Sequence, residues 1–155
     1  MQIQDDRTFQ AALKALDGRS QRVAAATFAE HVLPLCEDRK LAEVVEIARN
    51  RNASRLALSE ALKIAKSSAI HSRTRYGAEG DWHKQTEYFI AKAAIAALSP
   101  RCQMPEGIAW HAALSSRLAR ASAAIEYDND ADMQERTDQY SILINLLDLE
   151  HGVST

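Results

Sequence analysis

Apolar and polar positions along this 155-residue chain recur at helical spacing almost throughout. Phe9, Leu13 and Leu16 stand at i, i+4 and i+7 behind Asp5 and Asp6, either of which suits an N-cap. Asp17-Gly18 predicts the end of this first helix, with Gly18 in the left-handed position beyond it. Ser20 predicts the cap of a second helix through Val23, Ala26, Ala29 and Leu33, with alanines on two faces. Pro34 stops or kinks it. Asp38 opens a third helix on Leu41, Val44, Val45 and Ala48. Ser54 caps a fourth and longest one, whose apolar set is Leu56, Leu58, Ala61, Leu62, Ala65, Ala69 and Ile70, up to Tyr76-Gly77 and a loop at 77–80. A fifth helix follows Asp81 on Trp82, Phe89, Ile90, Ala93, Ala94 and Ala97, ending at Ser99-Pro100. Pro105 suits the N1 position of a sixth, on Trp110, Ala113, Leu114, Leu118, Ala121 and Ile125. After a break at Asp128-Asn129-Asp130, Met133, Tyr140, Ile144 and Leu147 form the stripe of a seventh, with Leu143 and Leu146 beside it. No segment alternates with the period of a strand.

The expected fold is therefore all-α: a compact bundle of six to seven mostly antiparallel helices, because the linking segments are short. One helical domain over 1–155 is expected, with 128–150 alternatively drawn as an acidic helical extension. Composition agrees. The chain carries 28 alanines but only 5 glycines and 3 prolines, too few turn-formers for a β-sandwich or barrel. Small side chains at this density predict helices packed closely together. No stretch approaches the roughly 18 apolar residues of a membrane span. Residues 1–6 are polar and acidic, unlike an export signal, so a cytoplasmic location is expected and the thiols of Cys36 and Cys102 are expected reduced and buried.

Charge is unevenly distributed. The whole chain has a formal net charge of −2, but residues 38–92 carry +4 and residues 123–155 carry −7. Six carboxylates, Glu126, Asp128, Asp130, Asp132, Glu135 and Asp138, fall within thirteen residues, opposed only by Arg136. Their density at a chain break predicts an exposed acidic face suited to a basic partner, where charge accelerates association. They lack the glycine and the twelfth-position glutamate of a calcium loop. The alternative is a basic face: Arg49, Arg51 and Arg55 at one turn, then Lys63 and Lys66, with Arg73, Arg75, Tyr76 and Trp82 beyond. Such a set suits a phosphate backbone with stacked bases.

Catalytic patterns do not emerge. The chain has no GxSxG, P-loop, GxGxxG or HExxH sequence. His83 and Glu87, at i and i+4, are the nearest thing to a metal pair and read better as polar neighbours on a helix. No cofactor, no metal and no catalytic residue is expected, and His31 reads as a hydrogen-bonded histidine at a helix end.

One segment is more specific. Ala29-Glu30-His31-Val32-Leu33-Pro34-Leu35-Cys36-Glu37, followed by Asp38-Arg39 and by Ala42-Glu43-Val44-Val45-Glu46-Ile47-Ala48-Arg49, resembles a family of alanine-rich, all-helical immunity proteins of bacterial polymorphic-toxin systems. The family shows a similar AE-x-VLPL-x-E segment, then DR and an A-x-x-x-E-x-A-R helix. The resemblance spans about residues 20–100 and is sharpest over 29–49. It implies a cytoplasmic, non-enzymatic protein that neutralises a cognate toxin by direct binding. The alternative expectation, carried by the basic residues, is a nucleic-acid-binding or scaffold subunit of a larger bacterial defence complex. The motif also reads as a corner where two helices meet, locked by a Glu–Arg or Asp–Arg pair.

Overall fold

Asp5 starts the first helix by a reciprocal cap: its side chain accepts the Thr8 N–H at 2.8 Å, and its own N–H donates to Thr8 Oγ1 at 3.3 Å. The structure is a computed structural model that describes residues 2–79, 82–100, 106–124 and 130–152. Its elements are α1 (Asp6–Lys14), α2 (Gly18–Val32), a 3-10 turn (Leu33–Leu35), α3 (Arg39–Arg49), α4 (Arg55–Glu79), α5 (Trp82–Leu98), α6 (Ile108–Ala123) and α7 (Ala131–Gly152). There is no strand among the described residues, and the helices form a compact all-α bundle.

Several helix ends differ from the expectation. Asp17, not Ser20, caps α2: it accepts the Ser20 N–H at 2.7 Å from an extended backbone. Gly18 is then the first residue of α2 rather than a left-handed stop after α1. The link between the two helices is too short for both a C-terminal glycine motif and a separate cap, and the carboxylate cap prevails. The proline has its expected effect: α2 ends at Val32, and one 3-10 turn carries Pro34, which has no N–H to donate. Asp38 caps α3 through the N–H groups of Lys40 and Leu41, and Ser54 Oγ accepts from Ala57 at the start of α4. Helix α4 runs past Tyr76-Gly77 to Glu79. Helix α6 begins at Ile108, downstream of the expected Pro105 start, which lies outside the described residues; Gly107 takes φ +94° at its N-cap. A Cβ there would sit 3.1 Å from Gln21 Oε1, so both the backbone and the space favour glycine.

Packing follows from residue size. Helix α5 lies against α4, α6 and α2, and its Ala91, Ala93, Ala94, Ala96 and Ala97 are all buried. Ala24, Ala25, Ala26 and Ala29 of α2 and Ala109, Ala112 and Ala113 of α6 meet them. Methyl-sized contacts let the backbones approach, and the few large side chains fill the remaining space. Phe9 and Phe28, both fully buried, stand 5.7 Å apart, with Trp110 and Tyr140 at 6.2 and 5.1 Å from Phe9. Cys36 is half-buried rather than buried, and burial pushes its thiol above the ordinary value.

Candidate functional site

Helix α7 presents an unexpected stripe to the core. Ala131, Glu135, Gln139 and Leu143, each four residues from the next, are the buried positions. The expected stripe is displaced: Met133 is 61% exposed and Ile144 38%, while Tyr140 keeps partial burial against Phe9. On α6 the same inversion puts Arg117 inside and leaves Leu118 half exposed.

These buried polar groups answer one another. Arg117 lies over the rings of Phe9 and Trp110 and forks onto Asp6 at 2.9 and 3.0 Å, while its Nε donates to Gln139 Oε1 at 2.9 Å. Gln139 Nε2 donates to the Ala113 carbonyl, and the Tyr140 hydroxyl donates to Asp6 at 2.8 Å. Burial opposes the Asp6 charge, but the hydrogen bonds from Arg117 and Tyr140 outweigh it and hold the carboxyl below its ordinary value. Burial and the Asp6 carboxylate push the Tyr140 hydroxyl up to about 12.

A second network joins α2, α6 and α7. His31 Nδ1 lies 2.9 Å from Glu135 Oε1, and His31 Nε2 lies 3.7 Å from Asp138. Arg120 donates to Glu135 at 2.9 Å and approaches Asp138 at 3.5 Å. His31, Glu135 and Asp138 therefore bring three potential metal-ligand atoms within 4.8 Å of one another. Arg120 already supplies the positive charge these carboxylates require, so the cluster is satisfied as an interhelical ion-pair network.

The predicted acidic face is thus dispersed. Glu135 is fully buried, Asp138 is tied to Arg120, and Asp132 pairs with Arg136 at 3.4 Å. Asp130 is exposed at the start of α7; Glu126 and Asp128 lie outside the described residues. The expectation of common exposure fails for Glu135 because Arg120 of α6 and His31 of α2, distant in sequence, meet it at the seam.

The basic set divides as well. Arg49, at the far end of α3 from the Leu33–Leu35 corner, pairs with Glu30 of α2. Arg51 pairs with Glu150 at 2.7 Å, and Ser20 Oγ donates to the same carboxylate, so the α3–α4 turn holds the end of α7. Arg55, Lys63, Lys66 and Arg73 are exposed on α4 and have no ion pair among the described residues. Leu56 and Ile70, expected in the apolar set of that helix, stand among them, 70% and 68% exposed. The signal was present in the spacing. Leu56 is nine residues from Ala65 and Ile70 nine from Ala61, about two and a half turns, so each points away from the buried alanines. The side chains of Tyr76 and Trp82 lie outside the described residues.

Beside this face, an open groove of about 780 Å³ runs between α3 and α4, lined by Glu37, Asp38 and Glu43 with Lys40, His71 and Glu87. Asp38 and Ser68 are bonded across it at 3.0 Å, and Lys84 pairs with the largely buried Glu87.

Compared with protein-family models, curated proteins and solved structures, the chain matches none.

Proposed function

We propose that the chain is a non-enzymatic binding protein of bacterial conflict systems, which neutralises a cognate toxin by direct contact. The observation that carries this reading is the segment 29–49, whose resemblance to immunity proteins implies that role. The way its polar groups are used supports it. His31, Glu135, Asp138 and Arg120 face one another at a helix seam, and Arg117 is spent on Asp6 and Gln139. These are the groups best suited to acid–base work, and each already has an interhelical partner.

The test is co-expression with the product of the gene immediately adjoining this one. Rescue of growth and co-purification of a complex are expected. A toxic neighbour that is neither rescued nor bound overturns the reading. Binding to nucleic acid is the second reading, favoured by the four cations of α4 that have no ion pair among the described residues. Its mark is binding of a single-stranded oligonucleotide that weakens steeply with salt.

A further inference from the structure

We propose that the outward face of α4 is a docking surface for an acidic protein surface that carries an aliphatic recess. The partner's identity as a toxin rests on the reading above; its chemistry does not.

The inner side of α4 is already occupied by α3 and α5, through Ala61, Ala65, Ala69 and Ser72. The opposite side carries Arg55, Leu56, Lys63, Lys66, Ile70 and Arg73. At 100° per residue these six fall within about a third of the helix circumference. No carboxylate lies within that stripe; Glu60 is on its margin, toward the α3 groove. Leu56 and Ile70 are fourteen residues apart, so at 1.5 Å per residue their separation is about 21 Å. That span matches one side of an ordinary protein interface.

Two features separate this face from an ordinary solvated one. Five arginines on other elements are neutralised within the molecule: Arg49 by Glu30, Arg51 by Glu150, Arg117 by Asp6, Arg120 by Glu135 and Arg136 by Asp132. Exposed cations such as Arg7, Lys14 and Arg19 stand away from α4, whereas α4 gathers its own on one stripe. On α4, four of like sign are left without an internal counter-charge among the described residues, so the face attracts an external one. Two of the most exposed large apolar side chains of the described structure share this stripe, Ile70 among the cations and Leu56 at its edge. Aliphatic groups within a polar rim are the anatomy of a protein interface. A nucleic-acid backbone would satisfy the cations but leave Leu56 and Ile70 in water. A membrane would take the aliphatics, but two strongly exposed ones on a half-buried helix give little insertion.

The test uses the full chain with four fluorescent or light-scattering probes: a helical peptide of Glu and Leu, an all-Glu peptide of equal length, a single-stranded oligonucleotide, and phosphatidylserine vesicles. The chain should prefer the Glu/Leu peptide. Lys63→Glu with Lys66→Glu should weaken that binding about tenfold and flatten its salt dependence. Leu56→Ser with Ile70→Ser should weaken it similarly while leaving the salt dependence intact. All four positions are exposed, so circular dichroism and melting should be unchanged; Leu149→Ser, on an exposed site of α7, is the control and should bind as the native chain does. Equal binding of the all-Glu peptide, preference for oligonucleotide or vesicles, or indifference to both double variants overturns the proposal. The same variants are then tried with the adjoining gene's product. A partner that binds native and variant chains equally also overturns this face. A neighbour that binds neither chain removes the toxin reading, while the peptide comparison still decides the face.

Discussion

Arg117 is where a single side chain does most to hold separate parts of the chain together. It is 97% buried by neighbours drawn from α1, α6 and α7, with two carboxylate oxygens and one amide oxygen around its guanidinium. Truncation would strand Gln139 Oε1 and leave Asp6 only the more distant Arg136, at 3.8 Å, as a counter-charge. Arg117→Ala should therefore lower stability by about 3 kcal/mol, read from chemical denaturation. Arg117→Lys should recover only part of that, because one ammonium cannot reproduce the fork. The same clamp sets the pH response. The Asp6 carboxyl is held below its ordinary 3.8, so its contribution is present above that value and is lost as pH falls through the lower folded value. Tyr140, raised from 10 to about 12, contributes below pH 10 and loses that contribution as pH rises through about 12. The native chain should lose denaturant resistance at both extremes. Asp6→Asn should be weaker at neutral pH and show a flatter acid limb; an unchanged acid limb would remove Asp6 from this role.

At the scale of the helix, alanine is what allows seven helices to share so small a core. Along α5 five alanines are buried, and along α2 four more. A larger residue there has no space to enter without moving a backbone. Ala94→Leu should cost about 1–3 kcal/mol despite leucine's good helix propensity. Ala42→Leu, on the exposed side of α3, should change the melting temperature little. Equal effects of the two would show that close helix approach is not what the alanines provide. The helices also show how far periodicity reaches. In α3 the pattern Leu41, Val44, Val45, Ala48 is the buried face. In α4 the reading of one apolar set failed, because Leu56 and Ile70 lie about half a turn from the alanine face. Counting angles rather than apolar residues would have separated them.

For the molecule as a whole, the attachment of α7 decides the final shape. Its first half is fixed by Glu135, Gln139 and Leu143, all fully buried. Its second half is held more thinly: Arg51 and Ser20 grip Glu150 at the far end, and Leu149 stays 66% exposed. Between them an open groove of about 590 Å³ lies beside Leu16, Val23, Leu146 and Leu147. Local opening follows low burial, so amides of residues 144–150 should exchange with solvent faster than those in the middle of α5 and α6. Arg51→Ala should speed that exchange further and leave α5 unaffected. Uniform protection along α7 would contradict this account.

The all-α class, the alanine-lined core and the helix starts at Asp5, Asp38 and Ser54 follow from local chemistry and are legible along the chain. The start of α2 is not: its cap is Asp17, three residues before the Ser20 that the local pattern points to. A carboxylate or hydroxyl at an N-cap needs only its neighbours three residues on, as Asp5, Asp38 and Ser54 do. The orientation of α6 and α7 is different in kind. Arg117 and Leu118 are adjacent, and periodicity alone favours burying the leucine. Arg117 goes inward because Asp6, 111 positions earlier, waits beside two aromatic rings. Glu135 goes inward because His31, 104 positions away, and Arg120 meet it there. A charged residue is buried only where its partner is also present, and partners this distant are brought together by packing alone. Tertiary structure therefore drew Glu135 and Asp138 of the acidic stretch into a seam between helices. It also left the basic and aliphatic side of α4 as the surface turned outward.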